Sequence, residues 1–408
     1  VSGTATPVML PQAQQRAAFR PLWIATFVSA AGTGLVYPVT AIHIATNLRL
    51  GVPAVALFYG TFAVAAGLLG PLGGSLTARF GARVAAVVGG CCQIAAWTTM
   101  AFVSGLVQVL FVAALSGIGG SLFFPALFST ILGGIPEELR KRTFGFRYTV
   151  INLGIATGAG LSSVLVASVA PSVLFLANAA SFLPVILWVW RHAGGAEAAD
   201  APEDGDGAGR PSVWSPAFGI ALAVTFLVSA FGAVQLESTV PLILRRLAHE
   251  SMSTVTVVTV VNAVSVVLLQ RLLRARVDRF SNAGAVALGA GLWGAAYLLA
   301  LTATGLTDSR SWFGKAVLMC FAAVFAAGEV VTASALTPMI VGLAPPGAAA
   351  RATGTSGSAW SLGTLAGPAV GTTAVALAGP IGSWGALAVG AACALLLSLL
   401  LRSHETGR

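Results

Sequence analysis

Windows of about 20 mainly apolar residues, the length at which a helix crosses a ~30 Å hydrocarbon core, recur twelve times along this chain. They run near 22–45, 53–76, 84–103, 107–134, 148–169, 171–190, 216–243, 252–272, 284–305, 314–343, 354–378 and 381–401. The sequence therefore predicts an all-α membrane protein with twelve transmembrane helices. Composition fits only that class: of 408 residues 57% are hydrophobic and 9% charged, where soluble domains carry about a quarter.

With the N-terminus inside, alternate loops collect seventeen of the 22 basic residues and leave five outside, Arg49, Arg245, Arg246, Arg310 and Lys315. The positive-inside rule then places both termini in the cytoplasm of a cytoplasmic (inner) membrane. Arg147 is counted here with the loop before the fifth span. The net charge of +9 is met by anionic lipid headgroups, and no basic patch carries the interleaved aromatics that nucleic acid needs. Membrane lipid is an expected partner and nucleic acid is not. Cys91, Cys92, Cys320 and Cys393 fall inside spans and read as small packing residues. The polar segment up to Phe19 lacks a signal-peptide core, so the first span is expected to direct insertion.

One stretch breaks the pattern. Residues 191–214, rich in Gly, Ala and acid, read as a disordered cytoplasmic linker between an N-terminal bundle (1–190) and a C-terminal bundle (215–408) of six spans each. A self-comparison at an offset of 209 aligns Pro136 with Pro345, Arg142 with Arg351, Gly145 with Gly354, Gly154 with Gly363 and Gly158 with Gly367. Spans five and eleven then share an orientation, which makes the two bundles parallel repeats.

Between the second and third spans stands GPLGGSLTARFGARVAA, residues 70–86. It resembles the signature Gly-x-Leu-x-Asp-Arg-x-Gly-Arg-Arg/Lys of the major facilitator superfamily, with Gly74, Leu76, Arg79, Gly81 and Arg83 in place and Ala78 where the family has Asp. In the family that Asp latches the cytoplasmic side shut. A second pattern, Gly-x-x-x-Gly-Pro-x-x-Gly, is similar to the antiporter mark of the superfamily. Gly154 and Gly158 carry a proline-free version, and Gly363, Gly367, Pro368 and Gly371 a fuller one. Small residues four apart let helices approach closely, and proline supplies a bend. Gly74, Arg79, Gly81, Arg83, Gly154, Gly158, Gly363, Gly367 and Pro368 are the expected gating residues.

GAGLWG at 289–294 matches a dinucleotide pattern but lies mid-span, with no preceding strand. No phosphate-loop, H-E-x-x-H or G-x-S-x-G motif occurs, so an enzyme is not expected and transport would be driven by a gradient.

Eleven of the thirteen acids fall in loops or tails, Asp278 among them; Glu237 and Glu329 do not. An intramembrane carboxylate costs roughly 2.5–3.5 kcal/mol on insertion scales, and burial opposes its charged form, so that it can gain and lose a proton in service. Both are candidates to couple protons, and Glu237 alternatively pins the outer gate or reaches headgroup water. Glu329 lies roughly 22 Å into the tenth span from outside, at 1.5 Å per residue, with Thr332 at i+3 on its face. Glu237 lies nearer the outer mouth. There Gln235, Ser238 and Thr239 share one face and Glu237 another, so either set lines a cavity unless Pro241 bends the helix.

In the superfamily the first, fourth, seventh and tenth helices line the cavity. This implies Tyr37, Phe124, Phe128, Gln235, Ser238 and Thr332 as substrate contacts, beside Phe123 and His43. So greasy a wall suits amphipathic organic molecules. Asn152, Asn178, Asn262 and Gln270 are expected to bond between helices. The resemblance implies a monomeric exporter of drug-like or natural-product molecules exchanged for protons, without metal or cofactor. An importer or uniporter of the same fold, and a transport-inactive sensor or scaffold, stay open.

Overall fold

The computed structural model describes residues 12–166, 168–193, 213–306 and 311–406; most of the linker expected at 191–214, together with Asp308 and Arg310, lies outside them. Twelve spans are present among the described residues. The first, Gln12–Ile42, ends in a π-helical turn, His43–Asn47. The second and third form one helical run, Gly51–Met100, folded back at Gly81, whose φ of 83° and ψ of 154° only glycine adopts without strain. The fourth is Leu106–Gly133, the fifth Glu137–Leu165, and the sixth Pro171–Ser181 with Leu183–His192.

The seventh is discontinuous: Pro216–Val228, a π-helical turn at Ser229–Ala233, turns through 234–238, then Thr239–Leu242 and a second π-helical turn, Ile243–Leu247. The eighth is Met252–Val277, the ninth Asn282–Leu301 with Thr302–Leu306, the tenth Trp312–Gly342, the eleventh Ala349–Leu377 and the twelfth Gly379–Thr406. Ser215, Ser281 and Ser311 cap spans seven, nine and ten by accepting from the backbone N–H three residues on.

By length and composition alone, eight helices among the described residues are apolar enough to cross a membrane, one of them, Pro53–Met100, holding two spans. The fifth, eighth and eleventh spans fall outside that set. These three contribute to the seam between the two bundles, and their polar and small residues lower their mean hydropathy.

The repeat is visible in side-chain detail. A Cβ on Gly154 would press on Phe27 O, the Ala30 side chain and Ala31 N; one on Gly363 would press on Phe226 O, the Ser229 side chain and Ala230 N. Gly89 packs on the Gly119 carbonyl as Gly289 packs on that of Gly328. The first outer turn of each half closes alike, with Leu50 N donating to Ile44 O and Glu250 N to Leu244 O, after Arg49 at φ 57° and His249 at φ 52°. Spans one and two thus map onto seven and eight at an offset of 199–200, and spans four and five onto ten and eleven at 209. The second half is cored by Trp293, Tyr297, Phe321, Phe325 and Trp384. The first half has two clusters, around Phe123, Phe182 and Trp188, and around Phe58, Met100 and Phe175.

One assignment is corrected. Arg147 is not a loop residue but stands ten residues into the fifth helix, about 15 Å along it at 1.5 Å per residue. Its two-turn polar lead-in, Glu137–Arg142, hides the true start of the helix from a hydropathy window.

Candidate functional site: the seam between the two bundles

Glu329 sits in the tenth helix, 8% exposed, at the meeting of spans five, eight and ten. The Tyr148 hydroxyl, from the first half, donates to its Oε1 at 3.1 Å, and Asn262 Nδ2, from the eighth span, donates to Oε2 at 2.8 Å. Asn152 steadies the fifth helix here, its Nδ2 donating to Tyr148 O at 2.9 Å. Val266, Ala326, Val330, Leu269 and the Tyr148 ring wall the carboxylate in. While Glu329 is ionised both bonds are charge-assisted; a proton on Oε1 reverses the first, the carboxyl donating to the Tyr148 oxygen while Oε2 still accepts from Asn262, and leaves two weaker neutral bonds. The strap that ties the halves is thus sensitive to one proton.

Below this level, towards the basic loops, the halves are closed. Gly145 packs against Gln270 and Ser334, Gly70 against Gly354 and Ser358, and Gly74 against Ala350 and Arg351, where backbone meets backbone. At the end of the seam Arg142 Nε meets Asp278 Oδ2 at 2.6 Å, and Lys141 Nζ donates to the Phe280 carbonyl. A cleft of about 1000 Å³, lined by Glu137, Arg140, Arg142, Asp278 and Asn282, opens on the basic face beyond that pair.

On the other side of Glu329, Tyr37 is hemmed by protein yet 48% exposed, and Tyr59 is 40% exposed. Glu237 is exposed within electrostatic reach of Tyr37, Tyr148 and Glu329. Groups both surrounded and open mark the wall of a chamber.

The unwinding of the seventh span settles which face of 235–239 looks into it. Pro241 has no N–H for the Glu237 carbonyl, and the chain turns instead, with Ser238 N and Val240 N both reaching the Gln235 carbonyl. Glu237 thereby faces open space. Gln235, expected as a substrate contact, is fully buried and gives its amide to Ala230 O; Ser238 bonds back to Val234 O at 2.8 Å. Thr332 is also corrected. It is 2% exposed, its hydroxyl filling the space that a Cβ on Gly289 would take, so it packs on the ninth span instead of sharing a patch with Glu329.

Phe124 is 43% exposed, whereas Phe123 is buried against Phe182. Phe128 packs edge-on to Phe144 and beneath the Arg147 guanidinium. His43 stacks edge-on against Phe175, away from the chamber wall.

Among the expected gating residues, Gly154 and Gly158 bring span five onto span one, and Gly363 and Gly367 bring span eleven onto span seven. Pro368 follows in a helix that stays continuous. Arg79 lies over Phe80 at 5.3 Å and Arg83 over Trp190 at 5.4 Å.

Three contributors lie outside the residues expected from sequence: Tyr148, Arg147 and Asp278. A signal for Asp278 was present, because Asp278-Arg279-Phe280 repeats Ala78-Arg79-Phe80 at the offset of 200. Arg142 in turn repeats as Arg351, and in the first half Ala78 leaves Arg351 without a carboxylate there; its buried Nε has no hydrogen-bond partner among the described residues. The ion pair that closes the basic face is therefore made on one side of the pseudo-twofold only. Both partners are partly exposed, so the pair is worth about 1 kcal/mol or less. Asp278→Asn is expected to raise the population open on the basic face by up to about fivefold, and Ala78→Asp, which faces Arg351, to reverse the change. The labelling rate of a cysteine introduced at the buried Ser334 measures both.

The profile of the Major Facilitator Superfamily matches residues 22–302. Multidrug resistance protein 1 of Bacillus subtilis is 27% identical over 220 residues, 52% of this chain and 54% of that protein. A Na(+), Li(+), K(+)/H(+) antiporter of Planococcus maritimus is 31% identical over 137 residues, 32% of each. Multidrug resistance protein MdtH of Citrobacter koseri is 35% identical over 97 residues, 24% of each. The chain thus matches about half the length of the first of these relatives and less of the others. Among solved structures, the human organic anion transporter MFSD10 superposes with a TM-score of 0.72 at 15% identity over 95% of this chain and 99% of that one. A bacterial homologue of the iron transporter ferroportin, in an outward-facing state, gives 0.73 at 13% over 96% and 100%.

Proposed function

Because the chain belongs to the major facilitator superfamily, we propose that it is a secondary active transporter exporting amphipathic small organic molecules by alternating access in exchange for protons. The observation that carries this reading is the Tyr148–Glu329–Asn262 strap, a proton-sensitive link between the bundles at the depth where the closed seam begins. With the basic loops in the cytoplasm, the structure is outward-facing. A proton from outside then reaches Glu329 by way of the chamber that Glu237 and Tyr37 line, discharges the carboxylate and frees the fifth helix to part from the tenth. Release of the proton inside restores the strap and returns the substrate-loaded chamber to the outside. Tyr37 and Phe124 offer the apolar contact surface, and the two multidrug relatives support an export role.

Inside-out vesicles energised to an acid interior test the exchange. Addition of ethidium, rhodamine 6G, norfloxacin or 2-naphthalenesulfonate is expected to dissipate part of the pH gradient in vesicles that carry the protein and not in controls; silence across the panel contradicts drug antiport. A monovalent-cation/proton exchange is the second reading, favoured by the open carboxylate of Glu237 and the antiporter relative. In the same vesicles it appears as dissipation by sodium or potassium salts alone.

A further inference from the structure

Arg147 has no part in the proton strap, yet it is the cation placed deepest in the first half. Its guanidinium lies over the Phe128 ring, 4.7 Å from the centroid, and its Nε is buried with no hydrogen-bond partner among the described residues. Among the described residues no carboxylate pairs with it: the ion pair of the seam uses Arg142, and Glu329 is taken by the next residue, Tyr148. A guanidinium this far along a membrane-spanning helix normally pairs with an acid or with backbone carbonyls. A cation–π contact offsets part of the cost but uses none of the group's N–H donors. The in-plane N–H donors remain, and their fork matches the two oxygens of a carboxylate, sulfonate or phosphate. Next to Phe128, at 6.4 Å between ring centroids, stands Phe124, 43% exposed, an apolar surface beside the fork.

We propose that Arg147, backed by Phe128 and flanked by Phe124, is an anion seat at the floor of the chamber, and that the molecules carried bear an acidic group on an aromatic or alkyl body. The inference rests on the transport reading for its physiological meaning, but the seat itself is a property of binding. It also links substrate to proton: Arg147 and Tyr148 are neighbours on one helix, so a ligand that draws on the first acts on the helix that holds the second to Glu329.

The purified full-length protein tests it with 2-naphthalenesulfonate and, as a cation of similar size, (naphthylmethyl)trimethylammonium, each titrated against the thermal unfolding midpoint. A ligand that binds only the folded state raises that midpoint with concentration. The sulfonate is expected to stabilise the wild type, and Arg147→Gln to weaken its apparent Kd by at least about thirtyfold while any response to the cation does not weaken. Arg147→Lys keeps the charge and loses the fork, so it should weaken sulfonate binding roughly tenfold; it carries the test if the glutamine variant does not fold. Equal sulfonate affinity in wild type and Arg147→Lys, or no stabilisation of the wild type at millimolar sulfonate, overturns the proposal. A sulfonate response that depends on Arg147 in a protein that dissipates no pH gradient keeps the seat and removes the transport reading.

Discussion

Glu329→Gln is expected to abolish proton-driven transport while leaving the protein folded, and to raise its thermal stability. Glutamine fills the same volume and keeps both contacts, its carbonyl oxygen accepting from Asn262 and its amide donating to the Tyr148 hydroxyl. Both bonds are then neutral, as in protonated glutamate. Hydrogen bonds to a charged group are worth about 1.5–3 kcal/mol against about 1 kcal/mol for neutral ones, so exchanging the two moves the seam equilibrium roughly tenfold or more towards separation. The substitution also removes the roughly 2.5–3.5 kcal/mol that an ionised carboxylate costs within the bilayer, which sets the sign of the stability change. Glu329→Asp keeps the titratable group but withdraws it by one methylene and should retain partial exchange. Thermal midpoints and pH-gradient dissipation, measured on the same preparations, check both variants. A Glu329→Gln protein that exchanges protons at the wild-type rate means that another group carries them.

Gly74→Leu is expected to hold the basic face open. A Cβ at this position would overlap the Ala350 carbonyl and press on the Arg351 Cα, and neither is a side chain that could swing away. Overpacking of this sort costs roughly 1–3 kcal/mol, which shifts the closed-to-open ratio by about five- to a hundredfold. Gly354 meets the same stretch from the other side, against Gly70 O and the Gly74 backbone, so Gly354→Leu should have the same effect, and the two together should not add in full. Gly158→Leu gives the contrast. Its contact with Ala31 and Leu35 lies within the first bundle and does not separate as the gate opens, so it should lower stability without favouring either state. Labelling of the Ser334 cysteine separates the cases: fast in Gly74→Leu, slow in Gly158→Leu.

The twelve spans and their parallel halves could be read from the chain because hydropathy and glycine spacing are properties of single helices and of one repeat. Glu329 was legible for the same reason, as an acid where hydrocarbon should be. Tyr148 was not, since a tyrosine at that depth is unremarkable until its hydroxyl is seen to reach across 181 positions of sequence to a carboxylate. Arg147 was misplaced because five charges in Glu137–Arg142 mask the start of the fifth helix. Gln235 and Thr332 were misassigned by helical-wheel reasoning. For Gln235 the wheel itself fails, because Pro241 unwinds the segment. For Thr332 the wheel holds but cannot show that Gly289 on the next helix opens a recess for its side chain. What the sequence lacked for Tyr148 and Thr332 was the identity of the neighbouring helix.

The central claim, that one proton on Glu329 loosens the seam, is tested most directly by a distance across the basic face. Spin labels at the exposed positions Glu138 and Arg279, in protein whose four cysteines Cys91, Cys92, Cys320 and Cys393 have been replaced, report the separation of the fifth helix from the loop that carries Asp278. A short distance at alkaline pH that gives way to a longer one as pH falls, with Glu329→Gln long at both, is the predicted result. A wild-type distance indifferent to pH, or a Glu329→Gln protein that follows pH as the wild type does, would contradict the account.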